Sequence, residues 1–180
     1  NSKVIKFNSN VITDNHIKLY KNCGFKFIIS NFCNLSHDVK SELIKYPGSY
    51  SIMEHDHKYL KTRDPSVFKN FKAPPEQIIN RMFYANANAI FAQSKLHKEV
   101  IEKNLNINNV INLGMNLWSD KQLSIIEQNL NNQKKDDFSI VNSTNPTKNT
   151  QACVAYCDEK NLDYTLIGST NYSEFIKQLE

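Results

Sequence analysis

YSIMEHDHKYLKTRDP, the sequence of residues 50–65, is the stretch around which the rest of the chain is organised. A short apolar run from Tyr50 to Met53 ends abruptly, and the four residues that follow it, EHDH, are all ionisable. In open α/β sheets the ligand crevice lies beyond the carboxyl ends of the strands. We therefore expect chemistry or recognition at this junction. The alternative is a polar strand end that merely faces water.

Strand and helix patterns alternate on both sides of this stretch. Apolar runs predict strands over residues 4–7, 25–32, 50–53, 89–92 and 110–113. Capping residues or prolines predict helices that begin after Thr13, Ser36, Pro74, Ser94 and Ser119. Alternating strands and helices with short loops are typical of parallel β/α units. We therefore expect the five strands to form one mainly parallel sheet with helices on both faces.

The pattern restarts after a polar run over residues 128–137, which indicates a helix end that continues into a linker. Strands are predicted over residues 138–141 and 164–167, and helices over residues 150–160 and 172–179. We expect an α/β chain with two parts. Residues 1–133 should form a Rossmann-like domain, a parallel sheet flanked by helices, with a linker to about residue 137. Residues 138–180 should be the start of a second Rossmann-like domain, because two strands and two helices are too few for a separate core.

Composition sets limits on the kind of protein. The chain has 180 residues, 40% of them hydrophobic, and a formal net charge of +4. This charge is compatible with an anionic ligand but does not indicate nucleic-acid binding, which usually needs a clustered basic face. No apolar run approaches the roughly 20 residues of a membrane span. With no secretory signal and no C-x-x-C pair, we expect a cytoplasmic protein whose cysteines are reduced, namely Cys23, Cys33, Cys153 and Cys157.

The EHDH run permits two kinds of chemistry. His55 and His57 stand in an H-x-H arrangement that can share a zinc ion, but a metal site needs further ligands, and the other histidines are not clustered. Polar recognition is the other use, because a histidine at a strand end can hydrogen-bond a substrate hydroxyl. The adjacent Asp56 could fix its tautomer or bind a second hydroxyl. We expect recognition of hydroxyl groups and no metal.

Three segments resemble glycosyltransferases of the GT-B architecture, in which a cleft separates two Rossmann-like domains. YSIMEHDH, residues 50–57, resembles the strand that ends in a histidine on the acceptor side of the cleft in retaining members. AIFAQSKLHKEVIEKN (89–104), followed by NNVINLGMN (108–116), resembles the close of the first domain. FSIVNSTNPTKNTQACVAYCDEKNLDYTLIG, residues 138–168, resembles the opening of the nucleotide-sugar-binding domain.

The resemblance also implies site residues and shows departures. The family's donor-site lysine falls on Lys148 and its usual arginine on Ser143, while Asn142 and Asn149 stand at the flanking glycine positions. The paired glutamates that hold the nucleotide-sugar in the family have no counterpart here, nor does its Gly-rich loop. The resemblance therefore implies an internal fragment that keeps the acceptor side and has weak or no activity alone.

The activity implied by the resemblance is transfer of a sugar from a nucleotide-sugar donor to a hydroxylated acceptor, without a cofactor. His55 and Asp56 would be the catalytic residues. Lys148 and Ser143 would bind the donor diphosphate, whose charge a cation can stabilise as it leaves. The acceptor could be a glycan, a lipid or another hydroxylated molecule.

The basic loop that follows EHDH bears on the acceptor. Lys61 and Arg63 would lie in an exposed acceptor-side loop suited to an anionic or phosphorylated molecule. A lipid acceptor would also suit peripheral association with the inner face of the membrane. Two alternatives stay open: a non-catalytic Rossmann-like ligand-binding domain, and a metal-dependent hydrolase that uses His55 and His57.

Overall fold

A computed structural model of the chain describes residues 3–114, 119–129 and 138–168, together with residues 174 and 178. The chain divides into two compact units, Asn1–Leu117 and Trp118–Glu180. The described part of the first unit contains four α-helices and four strands in alternation. They are α1 (Asp14–Asn22), β1 (Phe27–Ile29), α2 (His37–Ile44), β2 (Tyr50–Met53), α3 (Arg81–Ala85), β3 (Ala89–Ala92), α4 (Lys95–Leu105) and β4 (Val110–Asn112).

Three of these helices begin at the predicted hydroxyl caps. The side-chain oxygens of Thr13, Ser36 and Ser94 each accept the backbone N–H of the residue three positions later. Such a bond satisfies one of the four N–H groups that the first turn of a helix leaves without a partner. The local sequence therefore fixes where α1, α2 and α4 start.

The four strands form one parallel sheet in the order β1-β2-β3-β4. The order does not reverse, and such connections are right-handed, so α2, α3 and α4 lie on the same face. On that face Tyr50, Ile52 and Ile90 are fully buried. On the opposite face Ile28 is 74% exposed and Ile111 is 48% exposed. The helices that connect these strands therefore cover one face, which differs from the expected cover on both.

The core of the first unit lies between the sheet and this helix layer. Its largest fully buried side chains are aromatic, and the rings of Tyr50 and Phe83 stack at 4.9 Å. The Tyr50 hydroxyl donates to the Phe83 carbonyl oxygen at 2.5 Å. Burying a large side chain of this kind contributes about 1.5–3 kcal/mol, so α3 is held to β2 although it has only five residues.

The predicted strand over residues 4–7 is wrong. These residues form no strand, and β1 pairs only with β2 within the described chain. Phe7 instead packs its ring against His16 and Tyr20 of α1, at 5.6 Å and 5.4 Å. The apolar residues that suggest a strand therefore pack against α1 instead.

The predicted helix after Pro74 is also wrong in its start. Residues Pro75–Gln77 form one 3₁₀ turn, and Ile78 then forms an antiparallel bridge with Leu60. Asn80 is left-handed, with φ +55°, and α3 begins only at Arg81. The loop after β2 takes the hydrogen bonds that a helix would need, because Ile79 N–H donates to the Tyr59 carbonyl oxygen at 2.7 Å.

The second unit contains α5 (Asp120–Asn129), β5 (Phe138–Val141), α6 (Thr150–Lys160) and β6 (Tyr164–Ile167). Ser119 and Gln122 form the predicted capping box of α5. β5 and β6 pair in parallel, and Ile140, Cys157 and Ile167 are buried. Of the predicted helix over residues 172–179, the structure describes only Glu174 and Gln178, both of them helical, and most of the predicted linker lies outside the described residues. None of the helices in the described ranges is long and apolar enough to cross a membrane.

Candidate functional site

Glu54 organises the carboxyl end of β2. Its side chain is fully buried, and its Oε1 accepts the backbone N–H groups of His55 and Asp56, both at 3.0 Å, and that of Lys58 at 3.4 Å. Its Oε2 accepts the hydroxyl of Tyr84 from α3. Burial and the nearby Glu54 charge raise the pKa of Tyr84, so this phenol stays protonated and donates. One buried carboxylate thus fixes the path of the EHDH loop.

Lys58 and Arg63 compensate the two carboxylates of the loop. Lys58 is only 6% exposed, and its Nζ lies 3.5 Å from Glu54 Oε1 and pairs with Asp56 Oδ1. Arg63 reaches the other oxygen of Asp56, Oδ2, at 3.4 Å. Both Asp56 oxygens therefore contact cations. Arg63 has φ +55°, an uncommon backbone conformation for a side chain of this size.

His55 is exposed just beyond the end of β2. Its Nδ1 lies 3.4 Å from the side-chain nitrogen of Gln93, which follows β3. When the Gln93 amide donates to this Nδ1, the ring carries its proton on Nε2 and presents an N–H donor at the edge where parallel strands place ligands.

His57, Tyr59 and His97 form a second, more buried group. His57 Nδ1 lies 2.8 Å from the Tyr59 hydroxyl, and the two histidine rings meet edge to face at 4.5 Å. Burial, followed by the neighbouring His97, lowers the pKa of His57 to about 4. Burial also lowers the pKa of His97, and its buried Nε2 has no hydrogen-bond partner among the described residues. Both rings are neutral near neutral pH.

The two histidines of the H-x-H pair thus have different surroundings. His55 faces solvent beside Gln93, whereas His57 faces Tyr59 and His97. Among residues 3–114, 119–129 and 138–168, no three His, Cys, Asp or Glu side chains lie close enough together to hold a metal ion.

The second unit holds the residues implied for the donor diphosphate. Lys148 is exposed in a 3₁₀ turn, Pro146–Lys148, just before α6. The backbone N–H of Ser143 donates to Thr150 Oγ1 at 3.2 Å, which ties the loop after β5 to the first turn of α6. Asn149, at a family glycine position, is left-handed with φ +53°. Asparagine tolerates this conformation better than most side chains, so the departure from glycine keeps the turn.

The two residues expected to face an acceptor lie in a loop that the rest of the first unit holds in place. Lys61 and Arg63 are exposed, but the chain between β2 and α3 also buries Tyr59, Leu60 and Ala73. Asn104 of α4 ties it down, because its Oδ1 accepts the Ala73 N–H and its Nδ2 donates to the Phe71 carbonyl oxygen, both at 2.8 Å.

Sequence analysis does not single out Gln93, His97, Tyr84 or Asn104. Gln93 and His97 could have been recognised from the sequence, because they follow β3 as His55 follows β2. The carboxyl ends of parallel strands meet at one edge of the sheet. Tyr84 and Asn104 have no such signal. Each is one polar residue within a helix, and only the tertiary structure gives it a partner.

Comparisons with protein-family models, with curated proteins and with solved structures found no match to this chain. A function for the chain therefore has to be argued from its own residues and from the resemblance described above.

Proposed function

We propose that this chain is part of a glycosyltransferase of the GT-B architecture, which transfers a sugar from a nucleotide-sugar to a hydroxylated acceptor. The observation that carries the proposal is His55, an exposed imidazole at the carboxyl end of β2 whose ring is oriented by Gln93. An imidazole N–H is a donor suited to a sugar hydroxyl. The same histidine carries the resemblance of residues 50–57 to the family.

The residues of the EHDH loop take different roles in this proposal. His55 donates from Nε2 to a substrate hydroxyl and so fixes the orientation of the reacting sugar. Asp56 is charge-compensated by Lys58 and Arg63, so it holds the loop in place and is a poor general base. Of the two expected catalytic residues, His55 therefore keeps that role in the proposal, and Asp56 becomes a positioning residue.

The donor side is proposed for the second unit. Lys148 and the backbone around Ser143 would bind the donor diphosphate, and the lysine charge would stabilise the negative charge that develops on the leaving group. Two parallel strands connected by a helix, as in β5-α6-β6, are the arrangement in which the start of such a site is expected. No redox or group-carrier cofactor has a role in this reaction.

The catalytic part is tested by transfer of labelled sugar from a panel of nucleotide-sugars, measured with the complete gene product. We expect His55→Ala to lose roughly 10²-fold in kcat/KM, the scale of one positioned polar group. The matched control is His37→Ala, because His37 is also exposed but lies at the start of α2. A loss below about threefold in a folded His55 variant would refute the role of His55.

The donor part is tested separately by calorimetric titration of the same protein with nucleotide-sugars. Lys148→Ala should weaken binding, whereas Lys160→Ala at the far end of α6 should not. Donor binding without any transfer would favour the non-catalytic ligand-binding alternative. Absence of both binding and transfer would refute the proposal.

A further inference from the structure

A cavity of about 290 Å³ opens beside the EHDH loop and is separate from His55. Its apolar lining comes from Phe32, Leu60 and Ile79, and its polar lining consists of Cys33, Lys40, Lys58, Lys61, Arg63 and Asn80. Four cations therefore line one cavity, and no carboxylate lines it. The volume leaves room for a small anion with ordered waters.

Two of these cations have no carboxylate partner among the described residues. Lys40 is half-buried, and its Nζ lies 5.5 Å from the centre of the Phe32 ring. Burial lowers the pKa of Lys40, because the charged form loses water without gaining a counter-ion. No ion pair in the described chain involves Lys61. A partly desolvated lysine without a counter-ion is stabilised by any anion that enters the cavity.

Arg63 is only partly satisfied. One guanidinium nitrogen reaches Asp56 at the long distance of 3.4 Å, and the other donates to the Cys33 sulfur at 3.0 Å. A thiol sulfur is a weak acceptor, whereas guanidinium groups bind phosphate and carboxylate oxygens strongly and often through two bonds. An oxyanion that replaces this sulfur contact would form a stronger hydrogen bond.

We propose that this cavity is an anion-binding site, and that it takes a phosphate group through Lys40, Lys61 and Arg63. A tetrahedral dianion suits the site better than a carboxylate, because three donors converge from two segments: Lys40 from α2, and Lys61 and the left-handed Arg63 from the loop after β2. The apolar lining would contact the part of the ligand that carries the phosphate. The assignment of this phosphate to the sugar acceptor rests on the proposed function, whereas the site itself does not.

The test is an NMR titration of the 180-residue chain with inorganic phosphate, at constant ionic strength maintained with sodium chloride. The backbone amides of Cys33, Leu60 and Asn80 report on the cavity. We expect saturable shifts at these amides. Lys40→Met keeps the apolar stem over Phe32 and removes the charge, so it should raise the Kd for phosphate about tenfold, the effect of one charge-assisted hydrogen bond.

The control is Lys69→Met, which removes the same charge from an exposed lysine outside the cavity. Its Kd should match that of the wild type. If Lys40→Met does not fold, Lys61→Met at an exposed position provides the same comparison. Shifts that do not saturate, or equal Kd values for the cavity variants and the control, would show general charge screening and overturn the proposal.

A second arm identifies the source of the phosphate. Sedimentation with phosphatidylcholine vesicles, with and without phosphatidic acid, tests for a phosphate on a lipid. Phosphatidic-acid-dependent sedimentation that Lys40→Met abolishes would support a lipid headgroup. Phosphate binding without sedimentation would support a soluble phosphorylated molecule. Phosphate binding without sugar transfer would support the anion site and refute only the enzymatic role. Sugar transfer without phosphate binding would refute only the anion site.

Discussion

Removal of the Glu54 carboxylate should unfold the edge of the sheet that carries His55. Glu54→Ala deletes the acceptor of three backbone N–H groups and of the Tyr84 hydroxyl, and it leaves the ammonium of Lys58 with a single carboxylate. The Lys58 ammonium and the Tyr84 hydroxyl cannot turn to bulk water without opening the loop, because both side chains are buried.

The magnitude follows from these contacts. Breaking a buried ion pair by removing one partner costs about 3–5 kcal/mol, and a buried donor left without an acceptor costs about 1–3 kcal/mol. Relaxation and water entry reduce the sum, so we expect Glu54→Ala to lower the free energy of unfolding by about 3–5 kcal/mol. Glu54→Gln keeps a carbonyl oxygen for the N–H groups, and its amide can donate to the Tyr84 oxygen. It loses only the charge, so its cost should be about 1–2 kcal/mol.

The assay is denaturant unfolding followed by the NMR amide signals of Ile52 and Ile90, which lie on β2 and β3 and so report on the first unit. Glu42→Ala is the matched control, because Glu42 is also buried and accepts from a lysine and a tyrosine, but from no backbone N–H that the structure describes. Its effect should be clearly smaller. If Glu54→Ala were no more destabilising than Glu42→Ala, the organising role of Glu54 would be refuted.

Three further predictions concern pH, the loop and the orientation of His55. His57 becomes protonated below about pH 6.5 in the unfolded chain but only near pH 4 in the folded chain. The free energy of unfolding should therefore fall, on the order of 2 kcal/mol, as the pH drops from 6.5 to 4. The lowered pKa of His97 acts in the same direction. Thermal unfolding across this range measures how stability depends on pH. His57→Asn should weaken that dependence, because asparagine does not titrate and tolerates the left-handed backbone at this position. Asn104→Ala leaves the Ala73 N–H without its acceptor, so it should cost about 1–3 kcal/mol and speed limited proteolysis between residues 60 and 75; unchanged cleavage would contradict this. Gln93→Leu should lower kcat/KM of the complete gene product about tenfold with unaltered stability, and an equal loss of stability would indicate a structural role instead.

Local signals predict much of the first unit. The hydroxyl caps of α1, α2 and α4 are confirmed, and so are the strands that begin at Tyr50 and Ala89. A cap and a short apolar run act within a few residues, so no distant contact is needed to recognise them. The parallel α/β arrangement then follows from the alternation of the elements.

Errors occur where long-range contacts override a local pattern. The apolar run at residues 4–7 packs on α1, so Phe7 contributes a ring to a helix and no strand forms. The prolines at 74 and 75 do start a turn, but the backbone of Tyr59 and Leu60 captures Ile78 and Ile79 before a helix can form. These partners are almost twenty residues away, and local periodicity carries no information about them.

The four residues of EHDH show why a dense ionisable run does not by itself locate chemistry. Glu54 accepts hydrogen bonds from backbone N–H groups, and Asp56 pairs with two cations. His57 contacts Tyr59 and His97. Only His55 is left with an exposed ring and a nitrogen that has no described partner. The buried Glu54 carboxylate, with its tyrosine and three N–H donors, holds the adjacent His55 in place. A polar group that is held in position in this way is more effective in a reaction. In the proposed function, His55 is therefore the one residue of the run that would contact substrate, and the other three residues hold the loop that carries it.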